Sequence, residues 1–535
     1  MLDRTDLSNM AASGTLENKQ TFALLTAFAM SESTSSPHHP ENGRRTFLRS
    51  ALTGAATLAS APWLGAASTP EVAQPKVGVF AEPAQDLPLG EDVDVIVCGA
   101  GPAGIAAALA AARAGAKTRL IEIHGCLGGV WTAGLLTYIF DFNKPGIAKE
   151  IIRRLDERDA RRSKLPDQFV YEPEEMKVLL EEMCVEAGVK IHLHTRLAAA
   201  YRDGRKLTTV ITESKSGRQA WRAPVFIDAT GDGDLGAMAR CGWDIGQGGA
   251  ECPCQPMTLN TLAVVKDAEA LKNYISFYQV TPENRKGMWD WHHQATEGFK
   301  NEIIRAGFKP SYGMPTLFQV RDNLVMVMIN HEYGIKAFDA PAITEATIRA
   351  RAEVFNVVRG LRKLGGPWEG MQIVATPEQI GVRDGRRIHG RYTVNRDDLA
   401  TGVRHEDAVT RATFGVDIHA HDKEANDKKA IIHADFKFHP YDIPLRALIA
   451  KDVDGLLMAG RCISGDFTAH ASYRVHGELG GHGRSRRCHG GSGGQNQASS
   501  ARGGLERSQG GAGGVAEGGV VQSCCDIARL EDCGL

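Results

Sequence analysis

The chain has 535 residues, 43% of them hydrophobic and 24% charged, with a formal net charge of −2. This is ordinary globular composition, and the near-neutral balance removes any reason to expect a nucleic-acid or anionic-membrane partner. Glycine is the outlier: 17 of the 59 glycines fall in residues 477–535, with four of the eleven cysteines, so a globular body is followed by a tail of foreign composition. The other seven cysteines show neither disulfide-scaffold density nor a paired CxxC metal pattern.

The first readable element is an export signal. Residues 44–50 are Arg-Arg-Thr-Phe-Leu-Arg-Ser, followed by a weakly apolar stretch, Ala51 to Ala67, with small residues suited to cleavage. That stretch is shorter than the roughly 20 apolar residues a membrane span requires, so no stable membrane insertion is expected. The arginine pair resembles a twin-arginine signal, which implies the twin-arginine export machinery and a periplasmic or otherwise exported location. Met30 would give a more usual start to such a leader.

A β-branched run at 92–99 enters Gly99-x-Gly101-x-x-Gly104, then an Ala-rich helical stretch from Ile105 to Ala114, then a strand from Lys117 to Ile121 ending at Glu122. Strand, glycines, helix, strand and acid in this order form a dinucleotide-binding unit. Gly99 permits the tight turn, Gly101 lets a pyrophosphate approach, Gly104 lets helix and strand pack, and Glu122 can take a ribose. Further along come Gly128-Gly129-x-x-Thr132-x-Gly134, the strand-to-turn segment Val225 to Asp234, and Gly455 to Arg461, another strand ending in a glycine turn.

Between these lie Gln255-Pro256-Met257-Thr258, a strand-like run from Asn323 to Asn330, and a helical stretch from Ala342 to Leu364. Gln379 to Ile388 follows, with arginines at 383, 386 and 387, and then Ile443 to Leu448. Over residues 92–475 these motifs resemble the FAD-dependent oxidoreductase family of the glutathione-reductase-like flavoproteins. The resemblance implies an α/β fold: a Rossmann-like FAD-binding domain of the GR2 type with an inserted α+β substrate or cap domain. The expected divisions are leader and signal 1–67, linker 68–91, FAD-binding domain 92–254 and 441–476, cap domain 255–440, and the aberrant, disordered tail 477–535.

The resemblance also places residues against FAD. Gly99, Gly101, Pro102, Ala103 and Gly104 line the pyrophosphate, and Glu122 takes the adenosine ribose. Gly128, Gly129 and Thr132 approach the ribityl chain or isoalloxazine, and Leu197-Ala198 meets the adenine. Thr230, Gly231 and Asp232 return to the cofactor, and Gly460-Arg461 close over it. Cys126 lacks the second cysteine of the disulfide reductases in this superfamily.

The function expected is hydride transfer between a small-molecule substrate and flavin N5, with an electron acceptor that is not specified. Histidine suits the proton and arginine the anion. His470, Arg474 and Arg383 are therefore the candidate catalytic residues, with His331 a further one. The competing readings are a core histidine for His470, a carboxylate or phosphate partner for Arg474 and a salt-bridged face for Arg383. Asp417 and His419 supply only two possible metal ligands, so no metal is expected. A fumarate-reductase-like or ketosteroid-dehydrogenase-like flavoprotein is the alternative enzyme. A catalytically impaired FAD-binding protein lacking its closing helix is the alternative of another class.

That last alternative comes from the tail. Family members continue after the Arg-Val pair with a GEAxGxAAA-type helix, where this chain reads His476-Gly477-Glu478 and then glycine-rich sequence. With permitted codons, a one-base slide across residues 478–490 can yield that helix in place. The tail therefore reads as a frameshift near His476, against the competing reading of a natural disordered segment.

Overall fold

Each apolar run expected near a glycine turn is apolar on both faces, which suits strands covered from both sides rather than half-exposed ribbons. In the computed structural model these runs are neighbours in one sheet. It describes residues 78–162, 165–248, 254–432 and 434–475, so the signal segment, the linker up to residue 77 and the tail lie outside the described residues. Contacts divide the chain into Met1–Pro83, of which 78–83 are described and exposed, and Ala84–Leu535.

Within the second unit the principal elements follow in order. They are β1 (Val95–Cys98), α1 (Pro102–Arg113), β2 (Thr118–Ile121), α2 (Pro173–Glu186), β3 (Lys190–His192) and β4 (Val225–Asp228). Then come β5 (Thr261–Val264), α3 (Met288–Arg305), β6 (Thr316–Arg321), β7 (Leu324–Met328), α4 (Ala340–Leu364), β8 (Gln372–Ala375), β9 (Leu456–Met458) and α5 (Phe467–Tyr473). The first sheet has the order β9-β4-β1-β2-β3 with every pairing parallel. The chain winds outward from β1 to β3, then restarts on the other side of β1 at β4. This reversal makes the carboxyl ends of β1 and β4 a topological switch point, the place where open α/β sheets bind ligands.

Side chains alternate across β1. Val95 and Val97 join the core formed with α1 and α2, while Ile96 and Cys98 join a second core on the opposite face. An antiparallel meander over Arg196–Asp203, Lys206–Ser214 and Gly217–Arg222 links β3 to β4 and covers part of that second face through Leu207, Val210 and Trp221.

A second sheet, antiparallel in the order β6-β7-β5-β8, packs one face on α3 and α4. Helix α4 forms where the charged and apolar residues interleave. It buries Ala346, Ala350, Val354, Val357, Val358 and Leu361 at helical spacing, and Asp339 caps it by accepting from the Ala342 N–H. The other face of this sheet meets Tyr138, Val170 and Met288. Residues 257–380 supply this third core, whereas Ile388, Val394, Leu399, Tyr441 and Ile443 pack against the parallel sheet. The apolar packing therefore changes partner near residue 385, well before the expected division at 440. Among the described residues no helix is long and apolar enough to cross a membrane.

Candidate active site

Three glycine turns meet at the carboxyl ends of β1, β4 and β9, fastened by main-chain hydrogen bonds. The Gly128 N–H donates to Ala100 O, Ala229 N–H to Cys98 O and Ala459 N–H to Asp228 O, each at 2.8 Å. Gly99 has φ +97°, and a Cβ there would stand 2.4 Å from Ala229 O, so both conformation and space require glycine. A Cβ on Gly104 would stand 1.9 Å from Gly99 O, which shows how closely α1 is seated on the turn.

Gly101 is different: a Cβ there would meet nothing within 4 Å, although the residue caps the N-terminus of α1. That open space faces a helix start with no side-chain cap and no acidic residue in its first turn, a position that accepts phosphate. Pro102 and Ala103 form that first turn, and Gly460 passes over it with its Cβ position 3.0 Å from Ala103 Cβ. Gly129 also borders it, its Cβ position 2.9 Å from Gly101 Cα. These residues fit a dinucleotide pyrophosphate.

Glu122 is buried at the end of β2, where its carboxylate accepts from the N–H groups of Ala100 (2.5 Å) and His124 (3.0 Å). This fixes the acid beside the turn, as a ribose partner requires. Gly128 begins the turn that continues through Gly129. Two hydroxyls expected to face the cofactor are engaged inside their own loops. Thr132 donates to Leu127 O (2.5 Å), and Thr230 donates to Asp228 Oδ1 (2.7 Å). Burial pushes the Asp228 carboxyl up to about 6 despite donors from Thr230 and the Gly236 N–H. Beside Gly231, Asp232 pairs with Arg461 (2.9 Å), joining the β4 and β9 turns. Leu197 turns into the core, while Ala198 is exposed on the meander. Cys126 is buried beside Thr132 (3.7 Å), and burial raises its thiol above the ordinary value.

The candidate catalytic residues divide. Arg474, at the C-terminus of α5, donates through Nη2 to Asp417 O (2.6 Å), Gln255 Oε1 (3.1 Å) and Asp417 Oδ2 (3.3 Å). Burial lowers it to about 10. Asp417 is shared with His419, whose Nε2 lies 3.2 Å away. Burial pushes the Asp417 carboxyl up, but His419, Arg474 and Arg383 outweigh it and hold the group well below the usual carboxylate range. Burial and the Arg383 charge lower His419 to about 4 and drive His331 well below its ordinary value. The His331 and His419 rings meet edge to face with centroids 5.0 Å apart, and Tyr312 lies over His331 at 4.0 Å.

Arg474 thus belongs to one buried group with Asp417, His419, His331 and Gln255, and the charge of the half-buried Arg383 acts on it. His470 stands a turn back on α5 and is fully buried. Its ring faces the Arg461 main chain and Asp384 (4.0 Å), without closing to a good hydrogen bond with either. Burial and the Arg387, Arg474 and Arg461 charges keep it neutral. Arg386 and Arg387 are structural: the first pairs with Asp234 (2.8 Å), the second with Asp384 (3.2 Å) and the Gly246 and Gly465 carbonyls.

Several atoms of this buried region have no hydrogen-bond partner among the described residues: Gln255 Nε2, Arg474 Nε, His419 Nδ1, His331 Nε2 and both His470 ring nitrogens. Buried polar atoms left unpaired carry a free-energy cost that a bound molecule can relieve. The sequence reading gave no role to Gln255, whose Oε1 also accepts from the His419 N–H (3.0 Å) and so ties the group together.

Comparison with known proteins gives the same picture of the cofactor. A family model described as FAD dependent oxidoreductase matches residues 94–485. Thiamine thiazole synthase of Pyrococcus abyssi is 34% identical over 109 residues, covering 20% of this chain and 41% of that protein. Its counterpart in Methanococcus maripaludis is 36% identical over 105 residues, 19% of this chain and 38% of the relative. The chain therefore matches less than half the length of these curated relatives. Among solved structures, a geranylgeranyl bacteriochlorophyll reductase-like protein of Thermoplasma acidophilum aligns with TM-score 0.33 and 16% identity over 57% of this chain and 68% of that one. The p-nitrophenol 4-monooxygenase of Pseudomonas putida aligns with TM-score 0.34 and 14% identity over 57% and 70%.

Proposed function

Because the chain belongs to the FAD-dependent oxidoreductase family, we propose that it is an exported enzyme exchanging hydride between a small organic substrate and its flavin, with residues 257–380, which supply the third core, contributing a substrate domain. The observation that carries this reading is the Asp417–His419–Arg474 group with its unpaired His419 Nδ1. When bound, FAD supplies the two-electron partner at N5 for a substrate carbon.

The chain's own residues handle position and protons. His419 donates from Nε2 to Asp417, which fixes the tautomer and leaves the Nδ1 lone pair to receive a proton from substrate. Arg474 holds Asp417 in place and stabilises the charge on it as the imidazole becomes cationic. His331 and Tyr312 flank the ring and exclude water from it. Gln255 fixes the spacing between the His419 main chain and the Arg474 guanidinium.

The test is an anaerobic titration of the purified yellow protein with carbohydrate, carboxylate and steroid panels, read by flavin absorbance. Bleaching by a substrate and reoxidation by an acceptor are expected. Colourless protein that FAD does not reconstitute would overturn the reading. Export rests on the Arg44-Arg45 signal and is tested by locating the protein in cell fractions with and without that pair.

A further inference from the structure

Five arginines are gathered around the three turns and the buried group, and four have a carboxylate partner. Arg461 pairs with Asp232, Arg386 with Asp234, Arg387 with Asp384, and Arg474 with Asp417. Arg383 is the exception. Among the described residues no carboxylate lies within salt-bridge distance of it, and its hydrogen bonds both leave from Nη1, to Pro256 O (2.8 Å) and Thr258 Oγ1 (2.5 Å). The Nε and Nη2 edge, the side of the guanidinium that takes a carboxylate through two parallel bonds, is left without a partner there, and the residue keeps partial exposure.

The surroundings complete the case. The Arg383 charge acts on His331, His419, Tyr312 and Tyr333, all uncharged at neutral pH, and on Asp417, which Arg474 and His419 already neutralise. His331 and His419, less than a tenth exposed, each keep one ring nitrogen without a hydrogen bond. A guanidinium edge without a carboxylate, with unpaired nitrogens on two of the histidines its charge acts on, is an arrangement that an anion completes.

We infer that Arg383 is the subsite for a carboxylate of the substrate, so that the enzyme acts on an organic acid. This rests on the proposed reaction site, and it deepens that reading by naming the substrate class. The guanidinium takes the two carboxylate oxygens through Nε and Nη2. A carbohydrate or steroid without an acid group leaves Arg383 uncompensated and is excluded as the preferred substrate.

The experiment measures binding to the flavin-loaded full chain, without turnover, so its failure is separable from failure of the redox reading. Acetate and succinate are titrated against acetamide, succinamide and chloride at matched ionic strength, with calorimetry and the thermal midpoint as readouts. The two acids are expected to bind and raise the midpoint above the amides and chloride. Arg383→Gln is expected to lose at least about tenfold in acid affinity. Arg383→Lys keeps the charge without the planar fork and is expected to fall between them. It also serves as the test variant if the glutamine variant does not fold. Equal responses to acid, amide and chloride, or either folded variant binding the acids as tightly as the original chain, would overturn the inference.

Discussion

Gly101→Ala and Gly104→Ala add the same methyl group three residues apart, with opposite consequences. At Gly101 the new Cβ meets no protein atom within 4 Å, and the backbone is extended (φ −66°, ψ −179°), a conformation alanine adopts freely. Alanine restricts the unfolded chain, a gain of about 0.4–1 kcal/mol, but is a poorer helix N-cap than glycine by a similar amount. The cofactor-free protein should therefore change by less than about 0.5 kcal/mol. The same methyl occupies the space left for the pyrophosphate. Overpacking of about 1–3 kcal/mol corresponds to roughly five- to 150-fold weaker FAD binding. At Gly104 the Cβ would stand 1.9 Å from Gly99 O and 3.1 Å from Ala229 Cβ, so α1 has to move away from the sheet. That variant loses fold stability, by about 1–3 kcal/mol or more, together with FAD. The assay is the flavin-to-protein absorbance ratio after desalting, with denaturant unfolding of both cofactor-free variants. Full FAD retention by Gly101→Ala, or equal destabilisation by the two substitutions, would refute the reasoning.

Acid should unfold the protein partly through His419. The folded ring stays neutral down to about 4, whereas the unfolded ring protonates near 6.5, so stability falls as pH drops through that window, by ~1.4 kcal/mol per pH unit for one such group. Denaturant titrations from pH 7 to pH 4 should show a slope shallower by about one proton in His419→Gln; an unchanged slope would show that the ring is not held neutral. Cys126→Ser should leave substrate-driven flavin reduction unchanged, because the buried thiol is kept protonated and has no cysteine partner among the described residues. Rapid-mixing absorbance would reveal a thiol role as a lost reduction phase. Restoring the shifted reading frame beyond His476 is expected to raise flavin retained per protein, and equal absorbance in the two versions would remove the frameshift explanation.

The strand–turn–helix unit was legible in the sequence because its parts are local. An apolar strand, a glycine turn and an Ala-rich helix are contiguous in 95–113, and the helix at 340–364 declares itself by periodicity. The proposed reaction site draws on Gln255, His331, Arg383, Asp417, His419 and Arg474, whose spacing carries no period. One usable signal was present: Asp417 and His419 are two apart beside the strand Ile418–His419, a spacing that puts both on one face. The engaged hydroxyls of Thr132 and Thr230 were not legible, because a threonine beside a glycine turn reads the same whether it faces a ligand or its own loop. The change of packing partner near residue 385 was hidden for another reason: apolar residues on either side of it look alike, and only the core they enter differs.

The bond between Arg461 and Asp232 spans 229 positions of sequence, and that from the Cys462 thiol to Asp228 O spans 234. The strand and turn that complete the cradle are thus made by the ribosome long after the strand they pair with. During synthesis β4 has an unpaired edge until β9 emerges, and the growing chain is vulnerable to wrong pairing throughout that interval. Cofactor loading is therefore expected late in biogenesis, after the segment around Gly460 has docked. A chain-release mutant stopping before β9 should be found with chaperones and without flavin, even though it carries the whole GxGxxG unit.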